Sequence, residues 1–156
     1  STNYLDNRKE LNACADRIVF TGPIDAYFDY CFEPLEYRSL HFEHKLLDEP
    51  NFQGVAVVNY TDAKTPYTRS IEHKHFEFGT QDHTVVSYEY PQQWEVGVDP
   101  YYPMEDVANK ERYLQYKALA EQNPAVLFGG RLGEYRYYDM QDTVKSALSK
   151  VAEWKL

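Results

Sequence analysis

The stretch Gly54-Val55-Ala56-Val57-Val58-Asn59-Tyr60 constrains the fold more than any other part of the chain. A run of β-branched residues bounded by a glycine and by Thr61-Asp62 reads as a strand. The same signature recurs. Tyr67 to Phe78, after Pro66, alternates Thr68, Ser70, Glu72 and Lys74 with Arg69, Ile71, His73 and His75, and Thr84 to Tyr90 forms a further strand ended by Pro91. Leu35 to Glu43 reads as a strand with mixed faces, and Arg17 to Phe20 as a short buried one stopped by Thr21-Gly22-Pro23-Ile24-Asp25. Short loops between these segments predict an antiparallel or mixed sheet. A short helix or irregular lead-in is expected over 4–16, and a helix or helical turn over 26–31, capped near Asp25. Met104 to Glu121 is predicted helical, with Met104, Val107, Leu114 and Ala118 on one face. Ala125 to Phe128 is a short strand, and Thr143 to Trp154 the last helix. The fold class expected is therefore α+β, a mixed and largely antiparallel sheet with flanking helices.

A chain of 156 residues is the size of one domain, and 43% hydrophobic with 26% charged residues is a globular composition. A formal charge of −9 argues against nucleic acid as a partner, because a phosphate backbone needs a positive face. Only Cys14 and Cys31 are present, and Ser-Thr-Asn-Tyr-Leu-Asp has no signal-peptide character, so a cytoplasmic location is expected. The 15 tyrosines suit surfaces that hold sugars, nucleotides or flat rings, although most of them fit simple strand packing.

Phe128 to Met140 packs three glycines, two arginines, three tyrosines and an aspartate between an apolar run and a helical pattern. Glycine permits a sharp turn or the close approach of a ligand, so the segment suits either a tight connection or a ligand-contacting turn. Asp99-Pro100-Tyr101-Tyr102-Pro103 is a rigid loop, because each proline fixes its φ and restricts the residue before it. Arg38, in mid-strand, reads as solvated or salt-bridged. His73 and His75 flank Lys74 on one strand face, but a metal site needs more ligands and a supporting shell, so structural hydrogen bonding is the expectation. No Gly-x-Gly-x-x-Gly follows a strand, and no nucleophile elbow or phosphate loop is present.

Taken together, Phe20-Thr21-Gly22-Pro23-Ile24-Asp25, Tyr37-Arg38-Ser39-Leu40, Pro66-Tyr67-Thr68-Arg69-Ser70-Ile71-Glu72-His73-Lys74-His75-Phe76, Tyr101-Tyr102-Pro103, and Gly130-Arg131-Leu132-Gly133 with Tyr135, Tyr137, Asp139 and Met140 closely resemble the C-terminal part of the UDP-galactopyranose mutase family. The likeness runs from about residue 17 to residue 154. It implies the C-terminal part of a two-part FAD-binding fold, with a substrate-side sheet over 17–103 and a helix and return to the FAD-binding part over 104–156. It also implies an isomerase that interconverts UDP-galactopyranose and UDP-galactofuranose through an adduct between reduced-flavin N5 and the sugar, with no net redox change.

Carried over residue by residue, the resemblance implies that Arg69 lies near the substrate diphosphate and flavin, with Asn59 on the substrate side. Tyr102 and Tyr137 are implied to hold diphosphate oxygens through their hydroxyls. Arg69 and Arg131 make up the catalytic set, and Gly130, Arg131, Tyr138, Asp139 and Met140 the cofactor-side set. Arg38 resembles a further arginine of the family's active-site region. The family's N-terminal dinucleotide-binding motif and its helical region, which supplies a substrate tryptophan and an active-site histidine, are not among these residues. The chain is therefore expected to be a fragment that retains neither FAD nor activity alone, with a homodimer left open for the full-length protein. The competing reading is a non-catalytic module of related fold that binds a nucleotide-sugar or glycan.

Overall fold

In the computed structural model, which describes residues 2–154, the chain forms two units. The first joins the chain up to Arg38 to the chain from Trp94 onward, and the second is Ser39–Gln93. In chain order the elements are α1 (Arg8–Asn12), β1 (Ile18–Phe20), α2 (Ile24–Tyr27), β2 (Tyr37–Leu47), β3 (Val57–Asn59), β4 (Arg69–Glu72), a 3-10 turn (His73–Phe76), β5 (Thr84–Gln93), β6 (Tyr102–Pro103), α3 (Val107–Glu121), β7 (Val126–Phe128), α4 (Gly130–Gly133) and α5 (Met140–Glu153).

The first unit is built on an aromatic core. β1 and β7 pair in parallel, Phe20 opposite Phe128, and the rings of Phe20 and Phe128 meet Tyr27 edge-on at 5.1 and 4.8 Å. Such edge-to-face contacts match the ring quadrupoles and add to the burial of large apolar area. Tyr116, fully buried on α3, accepts from Phe32 N–H and donates to the Glu33 carbonyl, so its polar end is satisfied inside the core.

Asp25 lies in the first turn of α2 and is also fully buried. Its carboxylate accepts from Leu35 N–H at 2.9 Å and from the Tyr37 hydroxyl at 2.8 Å, which fixes the chain entering β2. Burial raises the Asp25 pKa above the ordinary range against the pull of those donors. Burial, together with the neighbouring carboxylate, likewise pushes the Tyr37 hydroxyl up. Asp25 was expected to cap this helix, but the N-cap is Pro23 and the carboxylate points to the later segment instead.

In the second unit the strand order is β3-β4-β5-β2, with β3–β4 and β4–β5 antiparallel. Glu72, sealed from solvent, accepts from Phe52 N–H at 3.0 Å and Gln53 N–H at 2.8 Å and faces His75 Nε2 at 3.0 Å. Burial would raise its pKa, but these donors outweigh it and hold the carboxylate at about 2.

Several strand and helix bounds differ from expectation. Gly54 to Tyr60 yields a strand only over Val57–Asn59, because Gly54 turns at φ 76° and the Gln53 amide takes the Val55 carbonyl. The strand expected over Tyr67 to Phe78 ends at Glu72. Beyond it the chain tightens into a 3-10 turn, so His73 and His75 do not share a strand face. His73 Nε2 meets Ser87 Oγ at 2.6 Å, as does His44 Nδ1, while His75 pairs with Glu72. β5 continues through Pro91 to Gln93. On α3 the buried residues are Asn109 and Tyr116, while Val107 and Leu114 are exposed. Asp106 caps this helix by accepting from Asn109 N–H at 2.8 Å.

Candidate functional site

The segment from Phe128 to Met140 turns twice for identifiable reasons. Gly130 sits at φ 73°, where a side chain is strained. A Cβ on Gly133 would lie 3.1 Å from the Phe20 carbonyl, so α4 packs onto the end of β1 only with glycine there. Tyr135 is also left-handed, at φ 45°, and buried. The hydroxyl of Tyr135 accepts from Met104 N–H and donates to the Glu36 carbonyl, and these contacts hold the strained residue in place.

These turns deliver Arg131 to the tyrosines. Its Cζ lies 5.2 Å from the Tyr102 ring centroid and 5.0 Å from that of Tyr137, and the two rings are 5.6 Å apart at 35°. Arg131 Nη2 donates to the Tyr138 carbonyl at 2.6 Å, and Nη1 reaches the Tyr101 carbonyl at 3.4 Å. The guanidinium thus braces both tyrosine-bearing segments and makes cation–π contacts with both rings. No protein partner takes either tyrosine hydroxyl among the described residues, and Tyr137 is 53% exposed. Arg38 is exposed on β2 opposite Tyr102 on β6.

At the start of α5, Asp139 is the N-cap residue without a side-chain capping bond, so the first-turn amides keep donor capacity. Asp139 and Met140 are exposed, whereas Tyr138 is buried, with its hydroxyl on Glu134 at 3.3 Å. Gly129 and Gly130 present bare backbone, with no atom nearer than 3.7 Å to an added Cβ. Amide donors, a carboxylate acceptor, an arginine and open glycine backbone are a donor set that fits the ring carbonyls and ribityl hydroxyls of a flavin.

The second unit carries a different group of the expected residues. β3, β4 and β5 place Asn59, Arg69 and Glu89 side by side in register. Arg69 Nε donates to Asn59 Oδ1 at 2.9 Å and Nη1 faces Glu89 Oε2 at 3.5 Å, which leaves Nη2 uncommitted among the described residues. Glu89 also accepts from Thr68 Oγ1 at 3.0 Å.

Sequence reasoning did not single out Glu89 or Glu105. The Glu105 carboxylate accepts from Tyr137 N–H at 2.8 Å. Glu89 becomes visible as a partner only once the β4–β5 register is known. Glu105, which joins segments 32 residues apart, leaves no local pattern at all. No group of three metal-ligating side chains occurs among the described residues.

The class that this architecture defines is the α+β fold seen in the crystal structure of reduced UDP-galactopyranose mutase. That structure matches with a TM-score of 0.58 at 11% identity, over 78% of this chain and 37% of that chain. The family model for UDP-galactopyranose mutase (GLF) matches residues 1–137, and the chain belongs to that family. Among similar proteins are a probable UDP-galactopyranose mutase of Klebsiella pneumoniae, 37% identical over 88% of this chain, and a dTDP-fucopyranose mutase of Escherichia coli, 36% identical over 84%. A UDP-galactopyranose mutase of Mycoplasma pneumoniae is 37% identical over 87%. The chain spans about a third of the length of these relatives, 36%, 35% and 35% respectively.

Proposed function

We propose that this chain supplies diphosphate-binding and flavin-contacting residues to an FAD-dependent isomerase that interconverts UDP-galactopyranose and UDP-galactofuranose. The observation that carries the reading is the Tyr102–Arg131–Tyr137 cluster in a chain of this family. Two uncommitted phenolic donors beside a braced cation match the oxygens of a diphosphate, the group common to the sugar nucleotides in the relatives' names.

Reduced flavin, when bound, supplies the nucleophile for chemistry at the anomeric carbon. Gly130, Arg131, Tyr138, Asp139, Met140 and the start of α5 are the residues that would hold it. The partial positive charge of that helix end favours an anionic flavin ring. Arg69, aimed by Asn59 and Glu89, contributes positive charge to the departing diphosphate, and the amide nitrogen of Asn59, uncommitted among the described residues, can donate to the substrate. No described helix is long and apolar enough to cross a membrane, and the two cysteines are free and exposed, in keeping with a reducing cytoplasm.

Calorimetric titration of the full-length protein with UDP tests the assignment. Tyr137→Phe is expected to weaken UDP binding about fivefold to tenfold, the worth of one hydrogen bond. An unchanged affinity contradicts the tyrosine's role.

A further inference from the structure

We propose that Glu105 is a positioning residue that sets the spacing of the tyrosine pair, an inference that rests on the reading of Tyr102 and Tyr137 as diphosphate ligands. Glu105 follows β6 by two residues, so it is carried on the same short segment as Tyr102. Its Oε1 takes the backbone N–H of Tyr137 at 2.8 Å. Nearby, Met104 N–H donates to the Tyr135 hydroxyl at 3.2 Å, and that hydroxyl lies 3.0 Å from the Met104 carbonyl. These contacts tie the strand bearing one tyrosine to the loop bearing the other. The Met104–Tyr135 contact is fixed inside the core by a buried ring, whereas the Glu105 bond ends on an exposed carboxylate.

The bond from Glu105 is not accounted for by stability of the fold alone. Tyr137 is exposed, as is Arg136 before it, so its amide could be satisfied by water. A carboxylate there is also electrostatically adverse beside a site for a diphosphate, and Lys110 Nζ, 4.0 Å from Oε2, offsets it only in part. What the side chain supplies is geometry. By accepting from the Tyr137 amide it fixes the backbone from which that ring projects, and with it the 5.6 Å ring separation that Arg131 bridges. Without it, the segments are bridged near Tyr137 through Arg131, with Nη1 on the Tyr101 carbonyl at a long 3.4 Å and Nη2 on the Tyr138 carbonyl at 2.6 Å.

The test compares Glu105→Ala with Glu105→Gln in the full-length, flavin-loaded protein, using UDP as the probe. Glutamine keeps the carbonyl acceptor and drops the charge, while alanine loses both. In Glu105→Ala the Tyr137 amide proton is expected to move upfield and exchange faster, and UDP affinity to fall about fivefold with flavin retained. Glu105→Gln is expected to restore both the amide signal and the affinity. The proposal is overturned if the Tyr137 amide is unmoved in Glu105→Ala, if UDP binds that variant as it binds the wild type, or if Glu105→Gln is as impaired as Glu105→Ala, which would show that the retained acceptor does not hold Tyr137. Should the wild type itself not bind UDP, the diphosphate reading fails, and the amide signal of the two variants still decides whether Glu105 positions Tyr137.

Discussion

Arg69→Ala in the full-length, flavin-loaded protein is expected to lower turnover about 100-fold to 1000-fold, the loss typical of removing a charged donor aimed at a departing anion. Three strands converge on this guanidinium, with Nε on Asn59 and Nη1 facing Glu89. Alanine removes the charge, frees the Asn59 carbonyl and leaves Glu89 facing the site without its cation. Arg69→Lys is expected to rescue little, because an ammonium cannot donate along the Nε direction to Asn59 while facing Glu89 and keeping a third donor outward. The flavin spectrum is expected to survive in both variants, since the cofactor-side residues lie on other segments. Turnover within threefold of wild type in Arg69→Ala would contradict the role given to it.

The second large effect concerns Asp25. Asp25→Ala leaves the Leu35 N–H and the Tyr37 hydroxyl unpaired in a sealed interior, and the first unit is expected to lose about 2–5 kcal/mol. Urea unfolding followed by the fluorescence of Trp94, whose ring meets Tyr37 at 4.9 Å, reads this directly. Asp25→Asn keeps a carbonyl acceptor for Leu35 and presents an amide donor to the Tyr37 oxygen in place of the acceptor lost, so a smaller loss is expected. The sign of the pH dependence separates the two further. Folding raises the Asp25 pKa above 3.8, so the stability linked to its proton is present below that value and declines as the pH rises through the folded one. The asparagine variant is expected to lack that slope. A loss under 1 kcal/mol in Asp25→Ala would show that water reaches the gap.

The existence and type of most elements could be read from local pattern, because strand alternation and helical spacing are local properties. Their bounds could not, because they were set by side chains from elsewhere. Gln53 takes the Val55 carbonyl before the strand begins, and beyond Glu72 the backbone tightens, so that two alternating histidines serve separate partners. The inward face of α3 was not legible for a related reason. Its buried side chains are Asn109 and Tyr116, polar groups satisfied by Glu36, Glu33 and Phe32, whereas hydrophobicity alone favoured Val107 and Leu114. At the site, glycine, arginine and tyrosine in one short run marked Phe128 to Met140, and the structure gives the reason for the glycines at Gly130 and Gly133. The carboxylates that aim Arg69 and Tyr137 stayed hidden. Glu89 acts across a strand register, and Glu105 ties its segment to one 32 residues away.

The central claim is that these residues serve a redox-dependent sugar-nucleotide mutase. The most direct measurement supplies UDP-galactofuranose to the full-length, flavin-loaded protein under anaerobic conditions, with and without dithionite, and follows UDP-galactopyranose by chromatography. The account predicts rapid product formation only after reduction, with no net consumption of reductant. A fully reduced, flavin-loaded protein that binds UDP yet forms no UDP-galactopyranose would contradict it and leave a binding module.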